Sequence, residues 1–389
     1  MVIDRRTYGH APALLLLLLL SCPHSLLWAA QSKPISPEEL FRHAQASSHR
    51  GDYAQAEKLY RQLLAADPSI LAARVNLGLA CYWQHKNREA VTELQKALRT
   101  NPLEYSALLF SGLAYLDLGE YDQAQKPLFQ AMRVKDTDPL LFWALGSFAM
   151  VRGDADSAAS FLERSIALDP DNARSVWLLG QAYAQLAYRE GKPPAVPGDY
   201  ARLAEQAVAW LEAHQPDSPP VHVLKADILV GRKATVPALA EYRRAQELDP
   251  NWPDIHLMMG SLLGLTGQWD EALAELRLQL KSAPQDPRAL AEMGSVLCRA
   301  GRYPEALPVL EKALGRDREN YEAAYRLGQV YVNLNQPALA IGPLERAARI
   351  EPLKSDPYYL LNRVYRALQQ PEKAAWALQQ FNQRKAKGQ

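Results

Sequence analysis

The chain has 389 residues, 48% of them apolar and 22% charged, with 44 basic and 43 acidic side chains. A formal charge of +1 gives no electrostatic reason to expect a binder of nucleic acid or anionic membrane.

In chain order, the first element is a targeting segment. Arg5 and Arg6 precede the apolar run from Ala11 to Leu20, which holds seven consecutive leucines; Pro23 ends the run and Ala29 and Ala30 follow. This is the layout of a secretory signal, and the run is too short to cross a bilayer. Residues 1–30 are therefore expected to be a signal peptide and residues 31–36 a short linker. Cleavage after Ala29 puts Leu27 and Ala29 at the two selective positions. A second reading competes: Leu19-Leu20-Ser21-Cys22 resembles a bacterial lipobox, which makes Cys22 the lipidated first residue. Against it, Leu26-Leu27-Trp28 stand where a polar tether is usual. A third is an uncleaved anchor. Each reading takes the mature chain out of the cytoplasm, to the bacterial periplasm or the outer membrane. Without Asp4, Arg5 and Arg6 the mature chain carries 42 basic and 42 acidic side chains.

From Pro37 onward the chain repeats itself. The stretch from Pro253 to Asp286 shows the unit. His256, Met259, Gly260 and Leu263 fall on one face at helical spacing. Gly267 breaks the pattern, Asp270 and Glu271 open a second helix, and Pro284 closes it. Units begin at Pro37, Leu71, Tyr105, Pro139, Ala173, Pro219, Pro253, Pro287, Tyr321 and Ser355. The eighth place is small in nine units: Ala44, Gly78, Gly112, Gly146, Gly180, Ala226, Gly260, Gly294 and Gly328, with Asn362 in the last. The twentieth place is Ala throughout, from Ala56 to Ala374, and the twenty-fourth is always large and apolar, as in Leu94 and Leu276. Small residues at the eighth and twentieth places predict two helices at close approach.

The 34-residue period with these places resembles the tetratricopeptide repeat family, in an exported bacterial form, over Pro37 to about Gln380. The resemblance implies an all-α, right-handed superhelical solenoid of about ten helix-turn-helix units, spanning 37–389, whose inner surface binds proteins or peptides. It is specific for fold and says little about the ligand.

Two irregularities mark the solenoid. Between Ala173 and Pro219 the spacing is 46 residues, and the extra length falls around Tyr188 to Asp199, which carries three prolines and two glycines. This insertion at 188–199 is either a tolerated surface loop, or a contact loop or joint. Asp199 is placed to cap the next helix. The last unit, 355–389, reads as a cap, with Asn362 at its eighth place and a polar end at Asn382, Gln383, Arg384, Lys385 and Lys387.

A search for chemistry finds none. The chain has no nucleophile elbow, phosphate-binding glycine loop, His-Glu-x-x-His or Cys-x-x-Cys. Cys81 and Cys298 lie six units apart, too far for a disulfide. His222 and His256 share the fourth place of adjacent units and read as packing residues, without a third ligand for a metal. No enzyme activity, metal or cofactor is expected. The ninth places carry no Asn, which removes the carboxylate grip that some family members use.

What remains is the inner face. Leu79, Tyr82 and Trp83, Leu113 and Leu116, and Met150 occupy places opposite the hairpin contact. With Val75, Leu109, Trp143 and Trp177 they form an apolar, aromatic-rich strip. Either the superhelix curls enough to bury them against one another, or they line a groove for an apolar or amphipathic segment of a partner. Toward the C-terminus Arg288, Arg299, Arg363 and Arg366 appear, either as solvated charges or as a basic patch for an acidic stretch. The functional expectation is a non-catalytic scaffold in the cell envelope that binds a protein or peptide. Its alternative is an accessory subunit that positions a separate envelope enzyme in polysaccharide, lipoprotein or cytochrome assembly.

Mass spectrometry of the native N-terminus tests the targeting reading. Ordinary cleavage predicts a chain starting at Ala30, and the lipobox predicts a diacylated Cys22. An intact Met1 in the native host contradicts both.

Overall fold

The computed structural model describes residues 35–188 and 199–387. The expected signal peptide, Cys22 and most of the linker lie outside the described residues, as do residues 189–198 of the insertion.

The described residues form twenty helices and no strand. They pair as hairpins in chain order: α1 (Pro37–His49) with α2 (Tyr53–Ala66), α3 (Leu71–Trp83) with α4 (Asn87–Thr100), α5 (Tyr105–Asp117) with α6 (Tyr121–Val134), α7 (Pro139–Val151) with α8 (Ala155–Leu168), and α9 (Ala173–Ala187) with α10 (Tyr200–His214). The second half continues with α11 (Pro219–Gly231) and α12 (Thr235–Leu248), α13 (Ile255–Leu265) and α14 (Trp269–Ser282), α15 (Pro287–Arg299) and α16 (Tyr303–Arg316), α17 (Tyr321–Asn333) and α18 (Pro337–Ile350), and α19 (Asp356–Ala367) and α20 (Pro371–Lys387). Eight first helices start on the residue where the period places the unit; α13 starts two later and α19 one later.

Local chemistry sets the ends. Ser36 and Glu39 form a capping box at α1. Asp52, Asp154, Asn172 and Asn320 accept backbone N–H groups at later helix starts, and Asp199 caps α10 through the Arg202 N–H at 3.2 Å. Between the helices of nine hairpins the backbone turns through a left-handed residue at the fifteenth place. Five of these are glycines, such as Gly301 at φ 74°, and the others are His85, Lys233, Asn335 and Gln369.

The hairpins close on one repeated contact. A Cβ built on Gly78 would lie 2.5 Å from Leu94 Cγ, and one on Gly260 would lie 2.7 Å from Leu276 Cγ. Gly112, Gly146, Gly294 and Gly328 meet the leucine of their own hairpin in the same way. Beside that contact Ala56, Ala90, Ala124, Ala158, Ala272 and Ala306 are fully buried. The expected close approach of two helices at small residues is thus the structural rule of the chain.

Successive hairpins are tied in two ways. Apolar clusters run across unit boundaries, so that α15 to α17 share one core through Leu290, Leu297, Leu310 and Leu327. Tyrosine hydroxyls also reach back one unit: Tyr183 donates to Glu163 at 2.7 Å, Tyr331 to Glu311 at 2.9 Å and Tyr365 to Glu345 at 3.0 Å. Odd-numbered helices pack on their second neighbours, α3 on α5, α9 on α11 and α15 on α17, and no comparable contact joins the even-numbered helices. The first helices therefore form the inner wall and the second helices the splayed outer one.

In the last unit Asn382, Gln383 and Lys385 are exposed, while its hairpin contact differs from that of the other units. Asn362 donates to the Ala374 carbonyl at 2.7 Å where the other units have glycine or alanine. Leu378, at the leucine place, is turned outward and 45% exposed, beside Trp376 at 47%. Arg384 is not a free terminal charge; its guanidinium lies 4.1 Å from the Tyr358 ring centre and donates to the Pro352 carbonyl.

The same substitution should act with opposite sign at two glycines. Gly78→Ala overpacks the hairpin and should cost about 1–3 kcal/mol. Gly315, exposed on α16 with nothing within 4 Å of an added Cβ, should gain up to about 1 kcal/mol on change to Ala. Denaturant melts of the two variants check both signs.

Candidate partner-binding face

The inner wall is lined by residues of the odd-numbered helices that point away from their hairpin partners. In units two to five the structure divides the predicted strip. Val75, Leu109 and Leu113 are buried core residues, packed between helices. Leu79, Tyr82, Leu116, Trp143, Met150 and Trp177 are half-buried at the edge of that core. Trp83 is 48% exposed.

Trp83 stands in an aromatic knot that sequence spacing did not assemble. It stacks on Tyr53 of α2 at 6.0 Å and meets Tyr82 and Phe110 edge-on at 5.3 and 6.0 Å. Tyr53 and Phe110 belong to other helices, and only the packing of unit two between its neighbours brings the four rings together. The strip is not purely apolar either. The Arg174 guanidinium covers the Trp143 ring at 4.1 Å. Burial pushes the Asp117 carboxyl up, in spite of His85, Tyr82, Arg174 and Asn87 around it. Burial, then the charge of Asp117, likewise pushes the Tyr82 phenol up.

The four C-terminal arginines are not equivalent. Arg288 pairs with Asp254 at 2.9 Å and Asp286 at 3.2 Å. Arg299 is largely buried, 3.8 Å from Glu292. Arg288 is exposed but tied to its two carboxylates, whereas Arg363 and Arg366 are exposed. Between them and Arg299 lies a further arginine that the strip reading missed: Arg326 donates to Glu322 at 2.7 Å, and Glu322 also accepts from Ser295 at 2.9 Å. Burial pushes Glu322 up, but the charge and hydrogen bond of Arg326 outweigh it and hold the carboxyl below its ordinary value. Arg288 and Arg299 are thus spent on internal carboxylates.

The histidines and cysteines are structural. His222 Nδ1 lies 2.6 Å from Glu241, and His256 Nδ1 lies 2.7 Å from Glu275, each across its own hairpin. Arg74 and Glu93 make the same tie in unit two at 3.0 Å. Cys81 and Cys298 are buried free thiols, both pushed up to about 11, chiefly by burial. One group among the described residues has metal-ligating atoms together: Glu57, Cys81 and Glu89, within 4.8 Å of one another. Glu57 is already held by Arg61 at 2.8 Å and Lys86 at 2.7 Å. The cations and the protonated thiol make this an ion-pair knot.

The outer ion pairs generate a pH prediction. Arg244 first, then His222, hold the exposed Asp217 carboxyl down at about 2. A carboxyl depressed in the folded state contributes above its unfolded value and loses that contribution as pH falls through the folded one. Carbon-detected NMR should find the Asp217 midpoint near 2, rising toward 3.8 in Arg244→Ala. An unchanged midpoint in that variant contradicts the pairing.

Comparison with known proteins fits this geometry. Two family models described as tetratricopeptide repeat match the chain, one over residues 82–139 and 291–359, the other over 49–109. The BBSome complex member BBS4 homolog of Drosophila melanogaster is 27% identical over 174 residues, 44% of this chain and 36% of that protein. Anaphase-promoting complex subunit 3 of Schizosaccharomyces pombe is 23% identical over 219 residues, 56% of this chain and 31% of that protein. The chain spans about a third of the length of these relatives. Among solved structures, the APC/C hetero-tetramer Cut9-Hcn1 covers 90% of this chain and 72% of its own, at a TM-score of 0.46 and 16% identity. Ten helical hairpins on a 34-residue period, closed by small residues at fixed places and matched in both halves by these models, identify the chain as a member of the tetratricopeptide repeat family.

Proposed function

We propose that this protein is a non-catalytic scaffold of the cell envelope that holds an amphipathic segment of a protein partner along its inner face. The observation that carries the reading is Trp83, half-exposed on the inner wall and braced by Tyr53, Tyr82 and Phe110. A braced, accessible tryptophan loses little freedom on binding and offers a large contact area, the usual character of an interface hot spot. Leu79, Leu116 and Met150 extend the accessible apolar edge to either side. The envelope setting is supported by the layout of residues 1–30 and lies outside the described structure. Arg363 and Arg366 give the C-terminal end of the same wall two exposed cations.

A photo-reactive residue at position 83, introduced in the native host, captures the partner that occupies this wall. Titration of that partner against Trp83→Ala combined with Leu116→Ser should then show a loss of about 2–4 kcal/mol, with helix content unchanged. Leu113→Ser is the contrast: it puts a hydroxyl into the core and should lower the melting temperature. Full affinity in the Trp83/Leu116 variant would remove the strip from the binding surface.

A further inference from the structure

In the middle of the inner wall one carboxylate has no cation. Asp227 is on α11, recessed but still reached by solvent. Its Oδ1 accepts from the Tyr242 hydroxyl at 2.6 Å and its Oδ2 from Gln181 Nε2 of α9 at 2.7 Å. Both donors are neutral. Among the described residues, three other recessed carboxylates are paired: Glu57 with Arg61 and Lys86, Glu93 with Arg74 and Lys96, Glu322 with Arg326. Burial pushes the Asp227 carboxyl up, and the groups acting against that shift are Tyr242 and Gln181 alone. Tyr242 occupies the place that is leucine in most units, so the usual hairpin filler is replaced here by a donor to this acid.

The surroundings are aromatic. Trp177 lies one helical turn before Gln181 on the same face of α9 and packs against the cluster of Val223, itself one turn before Asp227 on α11. The Trp177 ring meets Trp252 edge-on at 5.7 Å, and its indole Nε1 is buried without a hydrogen-bond partner. The Asp227 carboxylate is therefore without a counter-ion, and the Trp177 ring stands one helical turn from its Gln181 donor. An unpaired carboxylate beside tryptophan rings suits a cation on an apolar stem, which the carboxylate attracts by charge and the rings by their faces.

We propose that the Asp227–Gln181–Trp177 recess receives a lysine or arginine side chain of the bound partner segment. This rests on the scaffold reading above and adds to it: the segment is apolar where it crosses units two to four and basic where it reaches unit six. Ionised Asp227 then gains the counter-ion that the chain does not provide.

The test uses the whole chain and a small probe, so it does not depend on any partner. n-Butylguanidinium chloride is titrated while NMR follows the side-chain carboxyl of Asp227 and the indole resonance of Trp177. The expected result is a saturable shift of both signals and a fall of the Asp227 midpoint, because a nearby cation favours the ionised form. Asp227→Asn, checked for an unchanged melt, should abolish the response; Trp177→Phe should weaken it several-fold. The proposal fails if neither signal moves, since Asp227 is then only an internally hydrogen-bonded acid, or if the shift persists in Asp227→Asn. If the probe binds but replacing each basic residue of the captured partner by glutamine leaves its affinity unchanged, the recess is a site for free amines and the assignment to a partner side chain is wrong. Failure of the partner itself to bind would instead count against the scaffold reading.

Discussion

The contact between a glycine on each first helix and a leucine on its second helix fixes the rest of the molecule. Gly78 with Leu94, Gly146 with Leu162 and Gly328 with Leu344 leave no room for a methyl group, so two helix axes approach as closely as side chains allow. Every regular hairpin then has the same thickness, and identical hairpins stack with a constant offset. Where the contact changes, the stacking changes with it. Gly180 faces Leu224 of α11 and Ala207 of α10, and α9 and α10 are each one to two residues longer than their counterparts. At this same unit Tyr188 is seated on Gly231, with its hydroxyl accepting from Arg232 at 2.9 Å, so the head of the insertion is anchored on the following hairpin.

Close hairpins also decide where polar groups can stand. Apolar contact between units leaves their edges to hydrogen bonds, and the chain uses those edges for the tyrosine-to-glutamate ties and the fourth-place pairs of Arg74, His222 and His256. These are partly buried groups with matched partners: the tyrosine ties join one unit to the next, and the fourth-place pairs join the two helices of a single hairpin. The inner wall is different. There the aromatics around Trp83 and the acid at Asp227 retain accessible surface and unmet valences.

The fold was legible in the sequence because its determinants are periodic. Glycine at the eighth place, alanine at the twentieth and leucine at the twenty-fourth recur on a fixed count, and a count survives without coordinates. The binding face was legible only in part, because exposure on the inner wall depends on curvature between units. Leu113 and Leu116 are three residues apart on one helix, yet the first is core and the second an edge. Arg288 and Arg299 looked free in sequence because Asp254, 34 residues earlier, and the buried geometry of Glu292 are tertiary facts. Tyr53, Phe110, Arg174 and Arg326 were overlooked for the same reason. Asp227 stood in plain view at a ninth place, and its signal was the tyrosine at residue 242 where a leucine is the rule.

The central claim is that first helices bind and second helices support. Hydrogen exchange of the whole chain, with and without the partner captured at position 83, tests it directly. The account predicts added protection in α3, α5, α7, α9 and α11 and none in α4, α6, α8 and α12. Protection confined to the even-numbered helices would place the binding surface on the outer wall and contradict it.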